Sequence, residues 1–269
     1  MITPVIDKLQ VQHHFSEHAN EYDLYARVQK RVARRLLDIA LARSFSGPIL
    51  DVGTGTGEVA RRFVELCPKQ PVVVSDIAHD MTRTARQHLP DSLAVDGDAQ
   101  ALPFRDDSFG LVLSSSVFQW IEDLPAVFTE CHRILKPGGL FAFAMFCDGT
   151  LGELSDAFRR ALEHCRSDWP FHFQIFPELA TVETAMASSG FQQSGCHVEM
   201  EKECHPTFRD LMIGLKRIGA QNASRQRPSG FFPRRVMQKM QQFYEEDFQT
   251  SEGIQASYGV LYGLAVKEQ

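Results

Sequence analysis

One stretch near residue 50 constrains the fold of this chain more than any other. The sequence Ile49-Leu50-Asp51-Val52-Gly53-Thr54-Gly55-Thr56-Gly57-Glu58-Val59-Ala60 has a short apolar run, an acid and then glycines at alternate positions. Beyond it, Val59, Phe63 and Leu66 recur at helical spacing. This pattern predicts a buried strand, a tight glycine turn and a helix. Such a turn lets the backbone approach a ligand closely, and the helix N-terminus offers free N–H groups.

The spacing of the glycines distinguishes between classes of cofactor. A dinucleotide-binding turn has the pattern G-x-G-x-x-G around a pyrophosphate, whereas here the third glycine is Gly57 and Glu58 follows it. Asp51, just before the turn, would repel a pyrophosphate and attract a cationic amino group. S-adenosylmethionine has an ammonium, a sulfonium and a carboxylate, so it offers partners to the acid and to the helix N-terminus. The turn favours this cofactor over NAD; the alternative is a glycine-rich connection without a ligand.

Length and composition limit the classes of protein. The 269 residues can bury one sizeable core, as one large domain or a domain with a cap. A net charge of −6 argues against nucleic-acid binding through a generally basic surface. The six cysteines lack C-x-x-C spacing, which predicts reduced thiols and a cytoplasmic protein. No apolar run is long enough for a membrane span, so we expect no membrane association.

Strand and helix patterns alternate from residue 48 to residue 146. Strands are predicted at 48–52, 72–76, 92–96, 109–114 and 140–146, with helices at 57–67, 78–88 and 124–134 and a sharp turn at 135–139. This alternation predicts an α/β fold with a doubly wound, mostly parallel sheet, which binds ligands at the carboxyl ends of its strands.

The candidate cofactor-binding residues fall at those strand ends. Asp76 ends the second strand, where a carboxylate can accept hydrogen bonds from two ribose hydroxyls. Asp98 could accept from an adenine amino group, with backbone groups of the next two residues near the ring. The predicted set, with Gln29 from the N-terminal helices, is Gln29, Asp51, Gly53, Thr54, Gly55, Gly57, Asp76, Ile77, Met81, Asp98, Ala99, Gln100, Ser114 and Ser115.

Residues 1–47 precede this core and predict two amphipathic helices that cover the site. Phe15, Ala19, Tyr22 and Ala26 share a face of the first helix, and 28, 32, 36 and 40 share a face of the second. The stretch 14–18 matches the H-x-x-E-H zinc pattern. We expect no metal there, because no third ligand is evident and the helix face is partly apolar.

Residues 147–255 break the alternation. Helices at 152–166, 177–189, 207–219 and 233–247, a strand at 197–204 and a loop around Arg225 predict a helical cap that contains a sixth strand. Residues 256–269 then complete a seven-stranded sheet with a final strand near 257–267.

A cluster of positive charge lies in the second N-terminal helix. Arg27, Lys30, Arg31, Arg34 and Arg35 stand within nine residues that contain no acid. The two interpretations are a solvated helix face and a docking surface for an acidic partner, for which Arg27, Arg31, Arg34 and Arg35 are the candidates.

The motifs together resemble the class I S-adenosylmethionine-dependent methyltransferases. The resemblance is carried by the turn at 51–57, Asp76, Gly97-Asp98-Ala99 and Leu135-Lys136-Pro137-Gly138-Gly139, and it covers roughly residues 15–146. Phe118-Gln119-Trp120 recurs in methyltransferases that act on carboxylates, the trans-aconitate methyltransferases among them.

Further segments narrow the resemblance to one family. Ala19-x-x-Tyr22-Asp23-x-x-Ala26-x-x-Gln29, Leu215-Lys216-Arg217-Ile218-Gly219-Ala220 and the segment from Tyr244 to Tyr258 are similar to the malonyl-acyl-carrier-protein O-methyltransferases of biotin synthesis. The resemblance implies methylation of the free carboxyl of a malonyl thioester and an acidic acyl-carrier protein as partner. It leaves small-molecule carboxyl methyltransferases and non-catalytic cofactor binding as alternatives.

The implied chemistry needs an oriented carboxylate rather than a base. A carboxylic acid with a pKa near 4 is ionised at neutral pH, so no proton has to be removed. Tyr22 and Gln119 are the candidate catalytic residues, with Tyr22 donating a hydrogen bond to the carboxylate. Trp120 would shape the pocket, and Lys216 or Arg217 would hold the carboxylate or the thioester arm.

Overall fold

The architecture was taken from a computed structural model, which describes residues 6–19, 21–171, 173–191, 193–219 and 232–268. The predicted loop around Arg225 lies outside these residues. The helices are α1 (Lys8–His18), α2 (Tyr22–Tyr25), α3 (Arg27–Leu41), α4 (Glu58–Leu66), α5 (His79–His88), α6 (Leu124–Ile134), α7 (Gly152–Cys165), α8 (Leu179–Ser188), α9 (Phe208–Arg217) and α10 (Arg234–Phe248). A short 3₁₀ helix spans Phe118–Trp120.

The strands form one twisted sheet. They are β1 (Ile49–Val52), β2 (Val72–Asp76), β3 (Leu93–Asp96), β4 (Phe109–Ser115), β5 (Leu135–Cys147), β6 (Gln193–His205), β7 (Gln249–Thr250) and β8 (Gly253–Val266). The order is β3-β2-β1-β4-β5-β8-β6, with the two-residue β7 paired to β8. The first five strands pair in parallel, and β8 runs antiparallel to β5 and β6. The predicted doubly wound, mostly parallel sheet is confirmed.

The strand order places the ligand-binding crevice. The chain leaves β1 toward β2 and β3 on one side and reaches β4 and β5 on the other, so the order reverses beside β1. Sheets of this class bind ligands outside the carboxyl ends of the strands at such a reversal. The glycine turn follows β1 directly and therefore lies in the crevice.

The predicted sharp turn at 135–139 is wrong in one respect, because these residues belong to β5. Leu135 pairs with Phe109 and Leu140 pairs with Leu111, so the residues between Leu135 and Leu140 form a bulge inside the strand. The bulge is held by the residue that follows β8, since Gly138 N donates to Lys267 O at 2.7 Å. Gly138 has φ +75°, which a residue with a side chain adopts at a cost.

The N-terminal region contains three helices where the hydrophobic pattern predicts two. The first predicted helix is divided, with α1 ending at His18 and α2 beginning at Tyr22. Ala26 then leaves the helical region, at φ −78° and ψ 47°, before α3 starts. The spacing of apolar residues does not reveal this break, because Ala26 is buried and continues the apolar pattern. The predicted face of α3 is confirmed, since Val28, Val32, Leu36 and Ala40 are all buried.

Two groups of helices pack against the sheet, one near the glycine turn and one near β8. The N-terminal helices lie over the glycine turn, while α7, α9 and α10 pack together near β8. The division at residues 47, 146 and 255 stays a prediction. Within the described part of the chain, no helix has the length and apolar character needed to cross a membrane.

Candidate active site

The glycine turn has a backbone shape that its sequence requires. Gly53, Gly55 and Gly57 have φ values of +67°, +57° and +90°, which residues with a Cβ rarely adopt. A Cβ on Gly53 would also lie 2.3 Å from Val117 Cγ2, so there is no room for a side chain. The turn therefore brings the backbone to the edge of the crevice and starts α4 at Glu58.

A first cavity lies over this turn and the ends of β1, β2 and β4, beneath α1, α2 and the start of α3. Nine of the fourteen predicted cofactor-binding residues line it: Gln29, Gly53, Thr54, Asp76, Ile77, Met81, Asp98, Ala99 and Ser115. The structure thus brings together residues from six separate segments of the chain.

The other five predicted residues do not line the first cavity: Asp51, Gly55, Gly57, Gln100 and Ser114. Ser114 is fully buried, and its Oγ donates to Val52 O at 2.9 Å, which ties β4 to β1. Gly55 and Gly57 shape the turn without facing the cavity. For these residues the structure favours a supporting role over direct contact with a ligand.

Asp51 lies one layer behind the cavity wall. Its Oδ2 accepts a hydrogen bond of 2.7 Å from Thr54 Oγ1, and Thr54 lines the cavity. Its Oδ1 is buried without a hydrogen-bond partner among the described residues. Burial raises the pKa of Asp51 to about 7, although the Thr54 hydroxyl favours the ionised form. A cation in the cavity would offset part of this burial cost.

Asp76 is held in a fixed orientation at the end of β2. Its two carboxylate oxygens accept backbone hydrogen bonds from Gly55 N and Ala78 N, each at 2.9 Å. Burial raises its pKa, and these backbone donors act against that shift. Each carboxylate oxygen can accept a further hydrogen bond, so Asp76 remains able to bind hydroxyl groups in the cavity.

Lys8, at the start of α1, closes one side of the first cavity. It is not among the residues predicted from the sequence. Its Nζ lies 2.6 Å from both Asp98 Oδ2 and Gln100 Oε1. Gln12 Nε2 on the same helix donates to Ile77 O at 2.8 Å. Nothing in the sequence around Lys8 resembles a binding motif, so no local signal could have identified it.

A second, larger cavity of about 620 Å³ adjoins the first. Apolar and aromatic side chains from α7, α9, α10, β5, β8 and the segment before α8 form most of its wall. Those absent from the predicted set include Phe146, Leu151, Leu154, Phe158, Phe173, Phe176, Met212, Leu215, Ile218, Phe232, Met237, Met240 and Tyr258. The predicted residues Gln119, Trp120 and Lys216 line it, and Arg217 does not.

Five residues line both cavities and form what we call the shared wall: Phe15, Tyr22, Gln29, Ser116 and Trp120. Phe15 lies between the other two aromatic residues, with ring centroids 6.3 Å from Tyr22 and 5.8 Å from Trp120. The Tyr22 hydroxyl makes no hydrogen bond to another described residue. The first cavity, which contains the carboxylates of Asp76 and Asp98, therefore meets the second cavity at a hydroxyl that is free to donate a hydrogen bond.

Tyr22 is fixed by the residues on either side of it. Asp23 Oδ1 accepts a hydrogen bond of 2.9 Å from Thr56 Oγ1 in the glycine turn, and Glu21 forms an ion pair with Arg217 of α9. Burial, reinforced by the carboxylates of Asp23 and Asp76, raises the pKa of Tyr22 well above its ordinary value. Tyr22 is therefore protonated at neutral pH and can donate a hydrogen bond.

The side-chain amide of Gln119 is hydrogen-bonded to the backbone on both sides of it. Its Nε2 donates to Ser116 O at 2.7 Å, and its Oε1 lies 3.4 Å from Phe146 N. These contacts fix the turn after β4, which carries Ser116 and Trp120 of the shared wall. A direct catalytic role for Gln119 stays a prediction.

The basic cluster of α3 is partly neutralised within the chain. Arg31 forms an ion pair with Glu201 at 2.8 Å, and Arg35 forms one with Glu199 at 2.6 Å, both on β6. Arg34 is exposed and pairs with no described residue. The docking role of this cluster stays a prediction. In the same described part of the chain, no group of three or more His, Cys, Asp or Glu residues has a metal-binding arrangement.

Comparisons with known proteins identify the family. Residues 50–143 match the family model of a methyltransferase domain. A malonyl-[acyl-carrier protein] O-methyltransferase of Geobacter sulfurreducens is 40% identical over 97% of this chain and 99% of its own length. A protein of the same name from Methylococcus capsulatus is 34% identical, over 94% of this chain and 91% of its length. This chain belongs to the malonyl-[acyl-carrier protein] O-methyltransferase family.

A solved structure supports the fold assignment for this family member. Phosphoethanolamine N-methyltransferase 2 of Haemonchus contortus, in complex with S-adenosylhomocysteine, superposes with a TM-score of 0.52 at 22% identity. The match covers 88% of this chain and 52% of that protein. The chain therefore has the fold of the S-adenosylmethionine-dependent methyltransferases.

The residues of the first cavity fit the cofactor that the family implies. Thr54 on the cavity wall is hydrogen-bonded to the buried Asp51, whose charge an ammonium in the cavity would stabilise, and Gly53 leaves backbone exposed where a side chain cannot fit. Asp76 can accept from hydroxyl groups, and Ile77 and Met81 offer apolar contact for a planar ring. These features match the amino acid, ribose and adenine parts of S-adenosylmethionine.

Proposed function

We propose that this protein uses S-adenosylmethionine to methylate the free carboxylate of a malonyl thioester carried by an acidic acyl-carrier protein, in the pimeloyl branch of biotin synthesis. The observation that carries the proposal is the shared wall, where the cofactor cavity meets an apolar cavity at the Tyr22 hydroxyl. Relatives 40% and 34% identical over nearly the whole chain support it. Six cysteines without disulfides support a cytoplasmic location.

The first cavity would hold the cofactor. Thr54 would face its amino-acid end with Asp51 behind it, Asp76 would face its ribose, and Ile77, Met81 and Ala99 would face its adenine. The sequence predicts the roles of Asp51, Asp76 and Ala99, whereas the contact of Ile77 and Met81 with the adenine is inferred from their place in the cavity. When bound, S-adenosylmethionine supplies an electrophilic methyl group on a sulfonium.

The second cavity would hold the acyl group with its carboxylate at the shared wall. The carboxylate is already ionised at neutral pH, so the chain needs no general base. A carboxylate oxygen forms the new bond to the methyl carbon, the bond to sulfur breaks with its electron pair on sulfur, and no proton moves. The task left to the protein is to orient the oxygen in line and to exclude water.

Tyr22 is suited to that orienting role. Its raised pKa keeps the hydroxyl protonated, and its neighbours Glu21 and Asp23 are anchored on opposite sides, to α9 and to the glycine turn. One neutral donor orients a carboxylate without the strong ground-state stabilisation that a buried arginine would give. Phe15 and Trp120 exclude water from the same place.

The two basic candidates have different surroundings. Lys216 lines the second cavity and is exposed, so it can meet the thioester arm. Arg217 is engaged with Glu21 and supports the position of Tyr22.

Initial rates of methyl transfer test the proposal directly. Malonyl-acyl-carrier protein, malonyl-coenzyme A and trans-aconitate are compared at equal concentration with the purified protein. We expect turnover of the malonyl thioesters and little or none of trans-aconitate. Absence of turnover on both thioesters would contradict the proposed substrate, and preference for trans-aconitate would favour a small-molecule carboxyl methyltransferase.

A further inference from the structure

Among the described residues, the exposed part of the second cavity's lining belongs to one helix, α9. Of the described residues that line it, three are exposed: Arg209, Ile213 and Lys216. All three belong to α9, at spacings of four and three residues, so they lie along one face of the helix. The two cations are about 10 Å apart along the helix axis, with the apolar Ile213 between them.

Within the described ranges, the charges of these two side chains are unpaired. Neither the Arg209 guanidinium nor the Lys216 ammonium forms a hydrogen bond or ion pair with another residue in the described ranges. By contrast, Arg31 and Arg35 of α3 pair with Glu201 and Glu199. In a chain of net charge −6, the mouth of the cavity therefore carries locally uncompensated positive charge.

We propose that this face of α9, formed by Arg209, Ile213 and Lys216, docks the acyl-carrier protein. Acidic side chains of the carrier contact Arg209 and Lys216, and an apolar side chain of the carrier contacts Ile213. The surface has the arrangement of a transient interface, an apolar centre with a charged rim. The inference rests on the proposed function and names its docking site.

The position of the face explains why the carrier binds here. The malonyl carboxylate has to reach Tyr22 on the shared wall, so the thioester arm occupies the second cavity and emerges at its mouth. The protein attached to that arm must then contact the residues around the mouth, which in the described part of the chain are those of α9. By contrast, none of the exposed arginines of α3 lines the second cavity.

The experiment compares charge reversals on the two helices. Arg209→Glu, Lys216→Glu and the double variant alter the α9 face. Arg34→Glu is the matched control, because Arg34 is also an exposed helical arginine, pairs with no described residue and lines neither cavity. For each protein, kcat/KM is measured on malonyl-acyl-carrier protein and on carrier-free malonyl-pantetheine, and the ratio of the two is the readout.

We expect the double variant on α9 to lower this ratio by about tenfold or more, since like charges then face the carrier. Arg34→Glu should leave the ratio within about twofold. Because both substrates are assayed on the same protein, loss of folding lowers both rates and does not mimic the effect. Added salt should lower the wild-type ratio and change that of the double variant much less.

Two results overturn the inference in distinguishable ways. In the first, the wild type methylates both thioesters, but the α9 variants leave the ratio unchanged or Arg34→Glu lowers it as much as they do. The docking site is then wrong and the proposed function stands. If the wild type methylates neither thioester, the proposed function fails and the docking site fails with it.

Discussion

The two cavities of this protein are built in opposite ways. The floor of the cofactor cavity is formed by short loops at the ends of neighbouring strands, with backbone groups, glycines and carboxylates fixed by hydrogen bonds. The substrate cavity is formed by side chains from helices and strands up to 243 positions apart in sequence, between Phe15 and Tyr258, and most of its wall is apolar. The first arrangement needs specific residue types at specific places, whereas the second needs volume and apolar surface.

This difference predicts how each cavity responds to substitution. A change in the glycine turn alters a backbone path, so it should impair cofactor binding and every methyl transfer together. A change in the apolar wall should alter acceptor binding while cofactor binding is retained. Tyr22, on the shared wall, should affect the chemical step.

Gly53→Ala should have the largest effect. At φ +67° a Cβ adds strain, and it would lie 2.3 Å from Val117 Cγ2, so the turn must move. We expect kcat/KM to fall by at least about 100-fold on the carrier-linked and carrier-free thioesters alike. Calorimetric binding of S-adenosylhomocysteine should show a parallel loss of affinity.

Gly55→Ala is the control for the turn. Gly55 has a similar φ of +57°, but a Cβ there meets nothing within 4 Å, and the residue does not line the cavity. It should have a clearly smaller effect than Gly53→Ala. Equal losses in the two variants would mean that strain, rather than close approach to the cofactor, governs the turn.

Asp51→Asn should change the pH dependence of stability. Burial raises the pKa of Asp51 from 3.8 to about 7, so the folded state keeps a proton that the unfolded state has released. The wild type therefore loses stability as pH rises from about 4 to 7, and the loss is complete above 7. Between pH 5 and pH 8 the variant should gain about 2–3 kcal/mol relative to the wild type.

Urea unfolding of the cofactor-free protein at both pH values measures this difference. Ser114→Ala, which alters a buried neutral group, should show no such pH-dependent difference. A gain for Asp51→Asn that is the same at pH 5 and pH 8 would contradict a protonated, buried Asp51.

Tyr22→Phe should lower kcat by about tenfold, because the carboxylate loses its orienting donor while the ring stays in the shared wall. Affinity for S-adenosylhomocysteine should change by less than about twofold, since the phenyl ring preserves the cavity surface. Single-turnover rates and calorimetry separate the two quantities. A fall in cofactor affinity with an unchanged rate of transfer would place Tyr22 in the cofactor cavity alone.

Leu215→Trp should have the smallest effect and act on one cavity only. Leu215 is partly buried and lines the second cavity from α9. The larger ring should raise KM for malonyl-pantetheine several-fold, by about 1 kcal/mol of lost fit, without altering cofactor affinity. Reduced cofactor affinity in this variant would show that the two cavities are not independent.

The same contrast explains what the sequence could predict. The sheet and nine cofactor-cavity residues follow from local patterns, because strand, turn and helix signals adjoin the ligand residues. The bulge at Leu135–Leu140 depends on β8, more than 120 residues later, so local turn chemistry alone missed it. Lys8 and the apolar side chains of the second cavity come together through tertiary packing. The sequence around each of them contains no local pattern that predicts this.

Arg31 and Arg35 show a further limit of charge patterns. Five cations in nine residues of α3 suggested a docking surface, yet the carboxylates that pair with two of them lie about 165 residues away on β6. Arg209 and Lys216 are seven residues apart and form no charge cluster in the sequence, although they stand at the cavity mouth. Charge density along the chain is a weak guide to charge that remains available in the fold.

In the proposed reaction, the acceptor carboxylate in the second cavity takes the methyl group beside Tyr22. Mass spectrometry of malonyl-acyl-carrier protein after a single turnover with isotopically labelled S-adenosylmethionine tests it most directly. We expect one labelled methyl group, as an ester on the distal malonyl carboxyl, and formation about tenfold more slowly by Tyr22→Phe. A label on the carrier polypeptide, or no label on the malonyl group, would contradict it.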